Sequence, residues 1–176
     1  MNVNTYTAGK KMLLFLICIL KLSTATDLGY YVTSFLQEGV VPGRLLTFDT
    51  VKFQTSNLTT EYSNKNSETD LNGTIITITT PGVYGIQVQM TWDIDGGVTL
   101  WSGPDIDNMT ESVETVGSSG FYDLFTGSFF VAAPSTGYKI ALGTCSCNLD
   151  SANMRSHYTT DPTRYTRPTM IIRSLN

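Results

Sequence analysis

One histidine and three cysteines in 176 residues leave little material for nucleophilic or metal chemistry. The single histidine, His157, lies in a polar stretch between Arg155 and Tyr158. With no partner of fixed spacing it reads as a surface residue rather than a general base. Neither a Gly-x-Ser-x-Gly elbow nor a Ser/His/Asp ordering with local context occurs, so the residues offer no catalytic site and no cofactor is expected. Basic residues are also scarce, at 11 Lys and Arg against 15 Asp and Glu. Apart from the spaced Arg155, Arg164, Arg167 and Arg173 they form no cluster, which argues against a phosphate backbone as partner. Long apolar runs are missing as well. The longest, Met12 to Leu20, holds nine residues before Lys21, whereas a membrane span takes roughly 20.

That short run has the form of an export leader. Lys10 and Lys11 precede it, and Ser23-Thr24-Ala25 supplies small residues where cleavage is expected. Removing residues 1–25 leaves 151 of the 176, a single domain from Thr26 to Asn176, secreted and not inserted in a membrane. The loss of Lys10, Lys11 and Lys21 lowers the basic count from 11 to 8 against 15 acidic residues, a net charge of −7.

The remaining chain is rich in Thr, Ser, Gly, Tyr and Phe and shows no amphipathic helix, a composition that favours strands. Its clearest stretch runs from Thr74 to Trp101. From Tyr84 the even positions Tyr84, Ile86, Val88, Met90 and Trp92 are large and apolar, while Gly85, Gln87, Gln89, Thr91 and Asp93 are small or polar. Period-two alternation of this kind predicts a strand with one face on a core. Upstream, Thr80-Pro81-Gly82 breaks a strand over Ile75 to Thr79, and downstream Asp95-Gly96-Gly97 reads as a hairpin connection. Further strands are expected over Tyr30–Leu36, within Leu45–Phe53, in short pieces around Phe121–Ala132, over Tyr138–Leu142 and at Thr169–Arg173. Residues 55–72, 106–120 and 148–167 read as polar loops. Eight to ten short strands imply an all-β, antiparallel two-sheet sandwich or a barrel, with the jelly roll the natural candidate.

Several features, taken in order, make the chain resemble the globular head domains of the complement component 1q and tumour necrosis factor family. Ile76-Thr77-Ile78 followed by Thr80-Pro81-Gly82-Val83-Tyr84 is similar to that family's strand, Pro-Gly turn and Gly-x-Tyr start of the next long strand. Ser128-Phe129-Phe130-Val131 and Gly137-Tyr138-Lys139-Ile140-Ala141-Leu142 resemble its later strand pair, with Tyr138 where Asp is usual. Thr169-Met170-Ile171-Ile172 resembles the closing strand, without the usual Phe-x-Gly. The resemblance covers residues 30 to 176. It implies a ten-stranded jelly roll, assembly as a homotrimer around aromatic and aliphatic residues, and recognition of a protein or glycan ligand through exposed loops. The collagen stalk common in the family has no counterpart in a Gly-X-Y repeat here.

Three sequons, at Asn57, Asn72 and Asn108, lie in or beside polar stretches and read as glycosylation sites of an exported chain. Asp93, Asp95, Asp105 and Asp107 flank the Trp92–Trp101 segment and are hard oxygen donors, but their spacing fits no calcium loop and Asp is a common turn residue. No metal is therefore expected. Cys145 and Cys147 are the thiols left after cleavage. In a regular strand their Cα atoms would stand about 6.6 Å apart, near the upper limit for a disulfide. A bend beside Asn148 would close that distance, which favours a Cys145–Cys147 bond over an intermolecular one. The aromatics Tyr30, Tyr31, Trp92, Trp101, Phe121, Tyr122, Phe125, Phe129 and Phe130 can serve a core and an interface alike. Three readings follow: a secreted, glycosylated trimeric binding module, a coat or matrix jelly roll, and a lipocalin-like carrier. Mass in solution separates them as trimer, larger assembly and monomer.

Overall fold

The computed structural model describes residues 25–33, 37–40, 43–63, 73–92, 96–118, 124–144, 152–155 and 168–175. Twelve strands are present among them: β1 Thr26–Val32, β2 Gln37–Val40, β3 Thr50–Gln54, β4 Leu58–Ser63, β5 Gly73–Ile78, β6 Gly82–Trp92, β7 Gly96–Gly103, β8 Thr110–Ser118, β9 Leu124–Ala133, β10 Tyr138–Thr144, β11 Ala152–Arg155 and β12 Thr169–Ser174. They form two antiparallel sheets. The first runs β3-β1-β12-β6-β9, and the second β4-β5-β10-β7-β8. β11 pairs with Thr91 and Trp92 beyond the end of β12 and carries β2 on its far side. Because β5 and β6, β6 and β7, β8 and β9, and β9 and β10 each lie in different sheets, the chain crosses repeatedly over the sandwich as a jelly roll does.

The alternation in β6 explains why it is central to the first sheet. Tyr84, Ile86, Val88 and Met90 are all buried, and β12 and β9 pair along its two edges. The side chain of Trp92 lies outside the described residues. Facing this row, Ile76 and Ile78 of β5, Val98 and Leu100 of β7, and Ile140 and Leu142 of β10 complete one continuous core with Phe129 and Val131 of β9. Burial of these apolar rows is the main stabilising term, at about 25 cal/mol per Å² removed from water. The interior of the sandwich is filled by side chains from two separate sheets, so the closed-barrel carrier has no counterpart in this fold.

Four sequence expectations are corrected. Residues 55–72 are not all loop. Leu58–Ser63 forms β4, anchored by the buried Leu58 and paired with β5, while its polar residues suit a sheet edge. Likewise Thr110–Ser118 forms the edge strand β8 against β7. Asp95-Gly96-Gly97 is no hairpin, because β6 and β7 belong to opposite sheets and neither pairs with the other. The first strand also begins at Thr26 rather than Tyr30, since pairing with Arg173 and Ser174 draws in the two leading residues.

Segment 44–48 enters where β5 and β10 part. Leu46 N–H donates to Leu142 O and Thr74 N–H to Leu46 O, so the segment bridges the two strands. The Thr74 hydroxyl accepts from Phe48 N–H at 2.6 Å and donates back to Phe48 O at 3.2 Å. Leu46 and Phe48 thereby enter the core.

A buried polar cluster ties the two sheets at one edge. Tyr31 of β1 donates to Gln54 Oε1 of β3 at 2.9 Å, the Thr60 hydroxyl of β4 donates to the same oxygen, and Gln54 Nε2 donates to Leu58 O. Burial pushes the Tyr31 phenol from 10.0 up to about 12, with the Thr60 hydroxyl pulling it down less than burial raises it and Tyr62 adding to the rise. A phenol with a raised folded pKa stabilises the fold fully below its unfolded value. That stability is lost as pH climbs from about 10 to about 12. Burial raises the Tyr62 and Tyr84 phenols in the same direction. We therefore expect denaturant midpoints to hold steady up to about pH 10 and to fall steeply above it, and Tyr31→Phe to blunt that fall. A variant whose alkaline profile matches the parent would show that Tyr31 does not carry it.

Candidate functional site

The two outer faces of the sandwich differ. On the first sheet, cross-strand pairing lays out two rows. Phe53, Tyr30, Ile171, Gln87 and Ser128 follow one another across β3, β1, β12, β6 and β9. The adjacent row is Asp27, Arg173, Gly85 and Phe130. Except for Phe53 on the edge strand β3, each of these residues has a buried neighbour in sequence, because successive side chains in a strand point to opposite faces. The large apolar side chains of this face are open to solvent: Tyr30 is 37% exposed, Phe53 44%, Val83 43% and Phe130 63%. A soluble monomer seldom leaves so many on one sheet face, and such a patch marks an interaction surface.

Polar groups on this face are engaged with one another. Arg173 Nε pairs with Asp27 Oδ1 at 2.5 Å, and its Nη1 donates to Gln87 Oε1 at 2.8 Å. Beside them a shallow cleft of about 390 Å³ is lined by Ala25, Gly85, Gln87, Ser128, Phe130, Arg173 and Leu175. Leu175 is held there by its backbone N–H, which donates to Val83 O.

On the second sheet the outer face is covered and polar. Ile75, Ala141 and Met109 are buried there in a small second core closed by Leu45, Trp101 and Ile106. The turn before β8 lies over it, with Gly103 giving the room that the Asn108 backbone needs. Around this patch Lys139 pairs with Glu61 and donates to Thr77, and Thr99 donates to Glu111 at 3.0 Å.

Of the sequence-predicted glycosylation residues, Asn108 falls on this side and Asn57 at the edge where the two sheets are joined. Asn57 occupies the turn between β3 and β4, and the carbonyl of Asn57 accepts from Thr79 N–H. Asn108 is exposed on the turn over the second core, and its Nδ2 donates to both oxygens of Asp105. Asn72 lies outside the described residues, as do Cys145, Cys147, His157, Asp93 and Asp95. Asp105 and Asp107 are described. The Asp105 carboxylate accepts from the backbone N–H groups of Asp107 and Asn108, both at 3.0 Å, which is a turn-capping role. Among the described residues no group of three or more His, Cys, Asp or Glu comes together. Nor is any helix among them long and apolar enough to cross a membrane.

Of the aromatics singled out in the sequence, Tyr31 and Phe129 belong to the core, whereas their neighbours Tyr30 and Phe130 stand on the open face. Phe53 and Val51 were not separated from core residues by the sequence. A signal existed in the adjacent pairs Tyr30-Tyr31 and Phe129-Phe130, since a strand must put one ring of each pair outside.

No protein-family model and no curated protein matches the chain. Among solved structures it is similar to the globular domain of zebrafish complement 1qA protein, with 10% identity and a TM-score of 0.48 over 84% of this chain and 94% of that one. It is also similar to the Eiger tumour necrosis factor structure from S. frugiperda, with 9% identity and a TM-score of 0.49 over 86% of this chain and 93% of that one. The all-β jelly roll expected from the sequence resemblance is the fold observed.

Proposed function

We propose that residues 26–176 form a secreted, glycosylated homotrimeric binding module, whose subunits meet through the outer face of the first sheet and whose exposed loops recognise a protein or glycan ligand. The observation that carries this reading is the contrast between the two faces. One is open, with the apolar side chains of Tyr30, Phe53, Val83 and Phe130 exposed. The other is covered and polar and carries Asn108 on its covering turn. A glycan at Asn108, on the covered side, leaves the open face clear, as an interface requires. Residues 1–25 are the cleaved leader, and Cys145 and Cys147 are joined as a disulfide in the exported chain. The protein acts by binding rather than by catalysis.

Expression in a secreting host, followed by sedimentation equilibrium after enzymatic deglycosylation, tests the reading. The expected result is a single species of three times the subunit mass, with Thr26 as the first residue by N-terminal sequencing. A monomer at micromolar concentration would overturn the trimer. Particles far larger than three subunits would transfer the bare face to coat assembly. Retention of Met12 to Leu20 in a membrane fraction would refute export by cleavage.

A further inference from the structure

Gly85 has no reason within its own chain to be glycine. An added Cβ at Gly29 or Gly143 would stand 2.6 Å from Tyr31 or Trp101, and one at Gly73 or Gly103 would collide with Leu45 or the Asn108 backbone. Gly43 and Gly137 have φ of 75° and 84°. At Gly85, in the middle of β6, the nearest atom to an added Cβ is Leu175 Cδ1 at 3.6 Å, an ordinary contact. A glycine inside a strand forgoes side-chain packing and loses more entropy on folding than other residues. Where the chain does not need one, it marks the close approach of something else.

That position is the floor of the cleft on the open face, walled by Phe130 and Leu175 and rimmed by Gln87, Ser128 and Arg173. Arg173 is already matched by Asp27 and Gln87. The cleft therefore offers an apolar floor and a compensated polar rim, which suits an aromatic side chain better than an anion. The same face carries such side chains at its other margin. β3 is the edge strand opposite β9, and Phe53 is exposed on it. The face thus carries a cleft towards one edge and an exposed aromatic side chain towards the other, an arrangement that a head-to-tail contact between identical copies can use. Aromatic side chains bring 150 to 250 Å² each, so Tyr30, Phe53 and Phe130 alone leave roughly 300 Å² open on this face.

Resting on the trimer reading, we infer that the cleft over Gly85 is the socket of that interface and that Phe53 from β3 of a second copy fills it. Gly85→Leu occupies the socket without strain in the backbone. Its expected effect is a fall from the assembled mass to the subunit mass with an unchanged circular dichroism spectrum. Phe53→Ala empties the plug and should raise the dissociation constant of assembly by at least tenfold. With benzoylphenylalanine in place of Phe53, irradiation should give a cross-link between copies to the peptides carrying Gly85 or Phe130.

The outcomes separate the two claims. A monomeric parent protein overturns the trimer reading itself. A trimeric parent whose Gly85→Leu variant is also a trimer, or whose residue-53 cross-link falls elsewhere or within one chain, overturns the socket and leaves the trimer standing. If Gly85→Leu fails to fold, the cross-link alone decides.

Discussion

Replacing Tyr84 by alanine is expected to cost about 3 to 5 kcal/mol, the range for removing a large core aromatic. Tyr84 is 1% exposed and packs in the main core with Ile86, Phe129 and Ile172. Its hydroxyl also donates to Thr80 O, so truncation strips a partner from the turn that leads into β6. For a domain of this size the loss corresponds to a fall in Tm of roughly 10 °C or more. Gln89→Ala, one face over on the same strand, is the control and should move stability by no more than about 0.5 kcal/mol. Thermal unfolding followed by circular dichroism reads both. Equal midpoints for Tyr84→Ala and the parent would mean that β6 turns its other face to the core.

Gly143→Ala should destabilise by about 1 to 3 kcal/mol, the cost of overpacking a site that cannot give. The added methyl would stand 2.6 Å from Trp101 Nε1 and 2.8 Å from Arg44 O. The second of these atoms is backbone and is fixed by the N–H of Thr144, which donates to it at 2.8 Å. Relief would have to come from Trp101, whose Nε1 is buried without a hydrogen-bond partner. Lifting the indole would open the second core over Ile75 and Ala141 and bring water to the ring. The measurement is therefore paired, with a lower denaturant midpoint and a red shift in tryptophan emission expected together. A variant that melts as the parent does, with unshifted emission, would show that the covering layer on the second sheet yields freely.

The sequence made the strands of the main core legible wherever one face is apolar. β6, β10 and β12 alternate plainly, because burial on one side selects large residues there and water on the other does not. β4 and β8 were hidden for the converse reason. They lie at the edges of the second sheet, where polar side chains are no handicap, and their Thr- and Ser-rich sequences look like loop. Pairing between strands distant in sequence is not a local property either. That is why the Gly96-Gly97 signal looked like a hairpin when it marks a crossing between sheets. The open face was the least legible part. Its aromatics come singly from β1, β3 and β9, and on β6 it shows Val83, Gly85, Gln87 and Gln89, so no one stretch reveals it. The sequons and turn aspartates were legible as residues, and the fold adds that Asn108 lies on the turn over the second sheet while Asn57 lies on the turn joining the two sheets.

Hydroxyl-radical footprinting of the intact, deglycosylated protein tests the central claim most directly, because it reads which aromatic rings are covered in solution. Phe130, Phe53 and Tyr30 are open on the isolated subunit, and Tyr62 on β4 of the second sheet is comparably exposed at 45%. If the bare face is the subunit interface, the assembled protein will show labelling of Phe130, Phe53 and Tyr30 reduced at least severalfold relative to the Gly85→Leu variant, with Tyr62 unchanged. Labelling of Phe130 as strong in the parent as in the variant would contradict it.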